Sequence, residues 1–278
     1  MISITIPVIS GRYLKSVIES IYSQSYNDYE IIVINGTNKN DLSPMLNKYL
    51  VKELKFVGSL MEARWQGALN SQGGYILQLD ETRALSDKKC LEKLVSSYAD
   101  AAYIKESEYV NSILSKAANI DRDILYREQD IINFMPSVIP RFYKTEILIK
   151  SFEKLRDNLK NKFTEITAPE DLLLFIEAKE WITTIKVFNE PMIMHLGDST
   201  LKQVIRKYYR YGTNFSLLKG TPYENLSQLS LRARIRTRIK NASRYSDLLL
   251  VIYLLALRGI SAELGKLKGV NSDKKTNG

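Results

Sequence analysis

Residues 73–86 read GGYILQLDETRALS, and the fold turns on how this stretch is understood. Two glycines stop a helical pattern over 61–70. The run at 75–79 that follows is mostly apolar and too short for a helix, so it reads as a strand. It breaks off into two adjacent acids, Asp80 and Glu81. Such an ending fits either a solvated turn or a metal site at the mouth of a parallel sheet.

The same grammar repeats upstream. Residues 2–6 alternate apolar and polar side chains and end at Pro7. Leu14, Val17, Ile18 and Ile21 recur at helical spacing. EIIVI, 30–34, is nearly continuous and β-branched, as expected of a strand buried on both faces. NGTNKND, 35–41, reads as a turn, 42–52 as a helix and LKFVG as a short strand. Ser86 is positioned to cap the next helix, with Asp87 in its first turn. Strands separated by helices of about ten residues predict a mostly parallel sheet flanked by helices, an α/β layer fold. The middle of the chain, 101–214, is less regular: strand-like AAYIK, a polar stretch, then FMPSVIPRFYKTEIL.

The chain has 278 residues, 45% of them hydrophobic, enough for one large domain or one domain with an appendage. Its formal net charge is +9, and its pI near 9.3 points to an anionic partner: nucleic acid, lipid surface or phosphorylated substrate. No aromatic–basic pattern of an RNA-binding module is present, which argues against nucleic acid. Cys90 is the single cysteine, so no intramolecular disulfide forms; it reads as a core residue in a reducing compartment. The opening ISITIPVI is strand-like and is not a signal-peptide pattern. The longest apolar run, 248–257, is about half the roughly 20 residues of a membrane span.

Ligands of open parallel sheets bind beyond the carboxyl ends of the strands. Pro7, Asn35 and Asp80 each stand at or just past such an end, so three strands deliver residues to one crevice. In TAPEDLLLFIEAKEWI, 167–182, Thr167 and Glu170 have capping-box spacing and Pro169 suits a first helical turn. Asp171 lies just after a cap that is complete without it. It is either a surface acid favoured by the helix dipole or a general base facing the crevice. His195, the only histidine, opens HLGDSTLKQVIRKYYRYG, where Lys202, Arg206 and Arg210 share a helical face. That face is either solvated or suited to a diphosphate.

In this order, these segments resemble the family-2 glycosyltransferases with the GT-A fold, over roughly residues 2–212. ITIPVISGRYLKSVIESIYSQSYNDYEIIVINGTNKND looks like the family opening, and EARWQGALNSQGGYILQLDETRAL looks like its ARNxG…YIxFLDxD block. PEDLLLFIEAKEWI is similar to the helix carrying the Glu-Asp pair, and the segment from His195 is similar to the close of the catalytic domain. The resemblance implies an inverting transfer of sugar from a nucleotide-sugar donor. Asp80 matches the first acid of the DxD element, which holds a divalent cation, Mg2+ or Mn2+, with Glu81 and His195 as further candidate ligands. Asp171 matches the base. Pro7, Asn35 and Arg64 match nucleotide-pocket positions, and Arg206 with Gln203 resembles a QxxRW element in which Lys207 replaces the Trp.

The departures are Asn35 for an Asp, Ile9 and Ser10 for the PxYN Tyr and Asn, Trp65 for an Asn and Thr82 for the second acid of DxD. They keep open a catalytically degenerate relative that binds a nucleotide sugar or glycan without transfer. The sequence divides into a nucleotide-sugar-binding half, 1–100, and an acceptor and catalytic half, 101–215. A basic helical segment, 216–271, and an unstructured tail, 272–278, follow. In the basic segment Leu231, Ile235, Ile239 and Ala242 form an apolar stripe beside Arg232, Arg236, Lys240 and Arg244. This reads either as an in-plane anchor on an anionic membrane or as helices packed on the catalytic domain or forming a dimer contact. DLLLVIYLLALRGISAELGKL, next in line, reads as too short and too charged to span. The expectation is a peripheral enzyme at the cytoplasmic membrane face with a glycan or lipid-linked, polyprenyl-type acceptor.

Overall fold

The structure is a computed structural model, and it describes residues 1–37, 41–127, 138–197, 200–228 and 231–276. Parts of stretches quoted above, 38–40, 134–137, 198–199, 229–230 and 277–278, lie outside the described residues. In chain order the elements begin β1 (Ile2–Val8), α1 (Leu14–Tyr22), β2 (Tyr29–Asn35), α2 (Ser43–Leu46), β3 (Lys52–Lys55) and α3 (Leu60–Leu69). Next come β4 (Tyr75–Gln78), β5 (Arg83–Leu85), α4 (Cys90–Ser96), β6 (Ala101–Glu108), α5 (Ile113–Tyr126) and β7 (Phe142–Lys144). The last are α6 (Thr145–Leu159), α7 (Glu170–Ala178), β8 (Ile185–His195), α8 (Leu201–Leu217), α9 (Leu231–Asn241) and α10 (Tyr245–Thr276).

These elements form two compact units. The first comprises Met1–Ser107, Ile139–Glu165 and Glu170–Gly197; the second comprises Glu108–Val138, Ile166–Pro169 and Asp198–Gly278.

The first unit is built on one sheet of order β3-β2-β1-β4-β7-β6-β8-β5. β1, β2, β3 and β4 are parallel, as the strand–helix alternation predicts. β7 then joins β4 antiparallel, β6 joins β7, and β5 pairs antiparallel with β8. The irregular middle of the sequence thus supplies the antiparallel half. The apolar runs of β1 and β2 are buried on both faces, and α1 covers one of them with Leu14, Val17, Ile18 and Ile21. Cys90 sits in this core, where burial, with Asp87 adding to it, pushes its thiol up to about 12. A thiol so raised is not a nucleophile.

The helix after the opening stretch begins at Cys90, later than Ser86. Residues 83–85 become β5 first, and the Ser86 N–H bonds Met192 O at 2.9 Å. Asp87 still serves the helix, through Lys89 N–H at 2.9 Å and Lys93 at 2.7 Å.

Asp100, 5% exposed, fastens the antiparallel half. It accepts from Thr183 N–H at 2.8 Å, Thr183 Oγ1 at 2.6 Å and Thr184 N–H at 2.9 Å, and it pairs with Lys144 at 2.7 Å. Burial opposes its charge, but Lys144 and these donors outweigh burial and hold the carboxyl well below its usual range. A depressed folded pKa contributes stability above the unfolded value, about 3.9, that is lost as pH falls through the folded one. Asp100→Asn should therefore cost about 1.5–3 kcal/mol at pH 7. In urea titrations the gap from wild type should narrow below about pH 4; a gap independent of pH would remove the charge from this account.

In the second unit, α5, α8, α9 and α10 pack together. Leu114, Ala117 and Ala118 of α5 meet Leu254 of α10, and Ile124 meets Val251 and Leu255. α8 and α10 touch at backbone distance. A Cβ on Gly212 would fall 1.8 Å from Ala262 O, and one on Gly265 would fall 2.0 Å from Tyr209 O. Asp121 of α5 binds Arg238 at 2.8 Å and Arg258 at 3.1 Å.

Two sequence expectations change here. Part of the apolar stripe of α9 turns into this bundle: Ile235 and Ala242 pack on the Ile124 cluster and Arg238 is only 2% exposed, while Ile239 is 57% exposed. α10 is one helix through Thr276, covering most of the expected tail. Its Tyr245–Lys268 stretch is, by length and composition alone, long and apolar enough to cross a membrane.

Candidate active site

The crevice lies in the first unit, beyond the carboxyl ends of β1, β2 and β4. Parallel register places Pro7 beside Ile34 and Val8 beside Asn35. The chain leaves β1 through Ser10 and Gly11, the latter at φ +74°, where a side chain would be strained and would strike Leu42. Glu81 closes this turn. Its carboxylate accepts from Ser10 N–H at 3.1 Å, Ser10 Oγ at 2.9 Å and Gly11 N–H at 2.5 Å.

Asp80 begins the turn between β4 and β5. Its Oδ1 accepts from Thr82 N–H at 3.0 Å and Thr82 Oγ1 at 2.5 Å, and its Oδ2 pairs with Arg83. Thr82, where a second acid was expected, thus orients the first. Arg83 also donates to Glu106 at 3.0 Å, and Glu106 pairs with Arg141. Arg141 is buried just ahead of β7. Burial pulls its pKa down, but Glu106, Asp171 and Glu170 outweigh burial and hold it above its usual value.

On the other side stands Arg64. A complete capping box of Ser59 and Glu62 starts α3. Gly67 lets the helix lie against Thr5 and Ile34, 3.1 Å from where its Cβ would be. Arg64 is thereby held at 3% exposure, its Nε 3.2 Å from Glu170 Oε1 and its Nη1 3.3 Å from Leu79 O. Glu170 was expected to complete a cap with Thr167; instead it pairs with Arg64, and Thr167 bonds Asn214. Burial and then the charge of Asp171 raise the pKa of Glu170, and Arg64 opposes them. A chain of charge thus runs from Asp80 through Arg83, Glu106 and Arg141 to Asp171 and Glu170. It returns through Arg64 to the carbonyl of Leu79, next to Asp80. Asp171 is half-buried in the first turn of α7, and its Oδ1 accepts Leu172 N–H at 2.9 Å. The Tyr143 hydroxyl, buried without a hydrogen bond, stays neutral because burial, Tyr103 and Asp171 raise its pKa well above 10.

Asn35 is 7% exposed and its amide is engaged. Nδ2 donates to Glu53 at 2.7 Å, and Oδ1 accepts from Thr37 N–H at 2.9 Å and Thr37 Oγ1 at 2.7 Å. A carboxylate thus stands beside position 35, one strand over on β3. Trp65 points away from Arg64 into the core, edge-on to Phe152 and Phe163. His195 ends β8, in register with Arg83. Arg206 and Arg210 are exposed on α8, in the second unit. Sequence reasoning missed Glu53, Arg83, Glu106 and Arg141. The one available signal was a charged residue inside a strand-like run, as in VIPRFYK.

Among the described residues, no group of three or more His, Cys, Asp or Glu is placed to hold a metal ion. The set Asp80, Glu81 and His195 therefore does not assemble: Glu81 is drawn to the β1 turn and His195 belongs to β8. Asp80 remains. Five carboxylates (Asp80, Glu81, Glu106, Glu170, Asp171) face three guanidiniums (Arg64, Arg83, Arg141), so a diphosphate entering here meets a deficit of positive charge. Mg2+ or Mn2+ needs few protein oxygens and shares the rest with phosphates and water, so Asp80 would hold such a cation in exchange for its Arg83 contact.

Residues 3–104 match the family model of Glycosyl transferase family 2. Together with the mixed sheet, the match defines the class: a glycosyltransferase with the GT-A fold. Two solved structures share the fold. S. aureus TarS 1-349 is 14% identical with a TM-score of 0.50, over 98% of this chain and 91% of that one; of the longer TarS structure 54% is covered. The mannosyltransferase PcManGT from Pyrobaculum calidifontis, solved with GDP-Man and Mn2+, is 13% identical with a TM-score of 0.56, over 96% and 86%. TarS has also been solved with UDP-GlcNAc. No curated protein sequence matches the chain.

Proposed function

We propose that the crevice transfers a sugar from a nucleotide-sugar donor to an acceptor hydroxyl, with inversion at the anomeric carbon. The observation that carries this reading is Asp171. Its neighbour Glu170 is locked to Arg64, and its own Oδ2 is left for an incoming proton. As the acceptor oxygen attacks, Asp171 takes its proton. The bond from the anomeric carbon to the phosphate oxygen breaks, and the nucleoside diphosphate leaves. A divalent cation, when bound, supplies positive charge at that diphosphate, and Asp80 is the carboxylate that would hold it. Pro7, Asn35, Glu53 and Arg64 shape the nucleotide end. The acceptor we propose is a lipid-linked glycan at the cytoplasmic membrane face, supported by the basic, apolar C-terminal segment.

The test is a screen of nucleotide sugars for thermal stabilisation with and without Mn2+. A true donor at a hundredfold excess over its dissociation constant should add about 2.7 kcal/mol. Asp80→Ala should abolish the cation-dependent part of that gain. Equal donor affinity with and without chelator, in wild type and variant alike, would remove the metal. A second reading, binding without transfer, draws on Thr82 and on the fully engaged amide of Asn35. Slow donor hydrolysis to product would exclude it.

A further inference from the structure

α10 is apolar on two opposite sides, and the second unit covers one of them. Val251, Leu254 and Leu255 are buried against α5, and Ser261 and Gly265 lie buried farther along the same side. On the other side Leu249, Tyr253, Ala256, Ile260, Leu264 and Leu267 are all exposed. Leu249, Tyr253, Ile260, Leu264 and Leu267 are between 51% and 63% accessible. At 100° per residue these six positions fall within about 80° of arc, along roughly 27 Å of helix. A surface helix normally turns polar side chains to water. A continuous apolar stripe of this length marks an interaction surface.

Charge selects the occupant. Residues 198–278 hold 16 of the 40 Lys and Arg but only 5 of the 31 Asp and Glu. A second copy would bring two strongly cationic bodies together, whereas an anionic leaflet attracts one. The exposed cations stand beside the apolar positions: Arg244 just before α10 and Lys268 at the far end of the stripe. On α8, Lys202 and Arg206 flank Leu201 and Ile205, which are 49% and 39% exposed. Tyr253 suits the headgroup level, and long basic side chains reach out from an apolar bed to the phosphates. The opposite side of α10 is held by the Arg258–Asp121 ion pair and the touching backbones at Gly212 and Gly265. Leaving the bundle to span a bilayer would break all of these.

We infer that the stripe from Leu249 to Leu267 is an in-plane docking surface for an anionic lipid bilayer, with the cations around it contacting lipid phosphates. This rests on the membrane placement proposed above and moves it from the stripe on α9, where Ile235 and Ala242 pack on the Ile124 cluster, to α10.

The experiment uses the full chain and vesicles of phosphatidylcholine with or without phosphatidylglycerol. Wild type should float with the anionic vesicles at low salt, weakly with the zwitterionic ones, and less as salt screens the charges. Ile260→Ser/Leu264→Ser/Leu267→Ser should lower the anionic partition at least tenfold. Its melting curve should be unchanged, because all three side chains already face solvent. Wild type that ignores anionic vesicles overturns the inference, as does a triple variant that floats like wild type. So does a wild-type dimer that the triple variant splits, which would give the stripe to a second copy. Donor turnover is measured in parallel. Vesicle binding without turnover keeps the surface and removes the transfer reading; turnover without vesicle binding does the reverse.

Discussion

Asp171→Asn is expected to leave donor binding intact and to lower turnover by about a hundredfold or more, the usual scale for losing a general base. The substitution keeps size and hydrogen-bonding geometry and removes only basicity. The amide oxygen it introduces can still accept the Leu172 N–H that Asp171 accepts at 2.9 Å. The Arg64–Glu170 pair does not depend on it. The change does remove one of the three negative charges that raise the pKa of Arg141, but Glu106 remains bonded to it. The expected signature is a fallen kcat with unchanged donor stabilisation in the melting assay. Near-native turnover on a genuine acceptor would mean that another group takes the proton.

Arg64→Met is expected to destabilise the first unit by about 3–5 kcal/mol, the scale for stranding a buried charge. Arg64 and Glu170 are 3% and 5% exposed, so water cannot replace the lost partner. Glu170 is already pushed upward by burial and by Asp171, against Arg64; without Arg64 it rises further. A folded pKa above the unfolded value of about 4.3 means the folded state favours the protonated acid. Stability then falls as pH climbs through the folded pKa. The penalty should therefore be small near pH 4 and full at pH 8. Arg64→Met/Glu170→Gln should recover part of it, since the amide buries no charge. Urea titrations at both pH values decide the matter: a single variant within about 1 kcal/mol of wild type at pH 8 would mean the pair is solvated.

The parallel half of the sheet was legible because β1, β2 and β4 are short apolar runs cut by helical spacing, and each such segment announces itself locally. Asp80 stood out in the sequence as an acid ending a buried strand, and Asp171 as an acid beside a cap that did not need it. The antiparallel half was not. β5 is three residues long, and β7 is three residues after a stretch with no periodicity. Strands so short are chosen by the partners they meet, β8 for one and β4 with β6 for the other. The chain of charge was hidden for the same reason. Arg83, Glu106 and Arg141 are far apart in sequence, and each alone reads as a surface charge. Only the folded sheet brings them within bonding distance, where desolvation makes each partner necessary.

The sequence alone determined the class, through the order and spacing of segments that each carry a local reason to be strand, helix or acid. It also determined that the C-terminal segment is basic and apolar at once, which is a matter of composition. Which side of that segment is covered was decided by tertiary packing. A helix apolar on two opposite sides has no preferred face until neighbours choose one. Here the glycines of α8 and α10 and the Asp121 ion pairs made that choice, turning the inner side of α9 into the bundle and leaving the stripe on α10 outside. In the crevice, tertiary structure likewise decided that Glu81 closes the turn after β1 and that Asn35 donates to the carboxylate of Glu53. Both are contacts across the sheet, and a one-dimensional pattern holds no distances between strands.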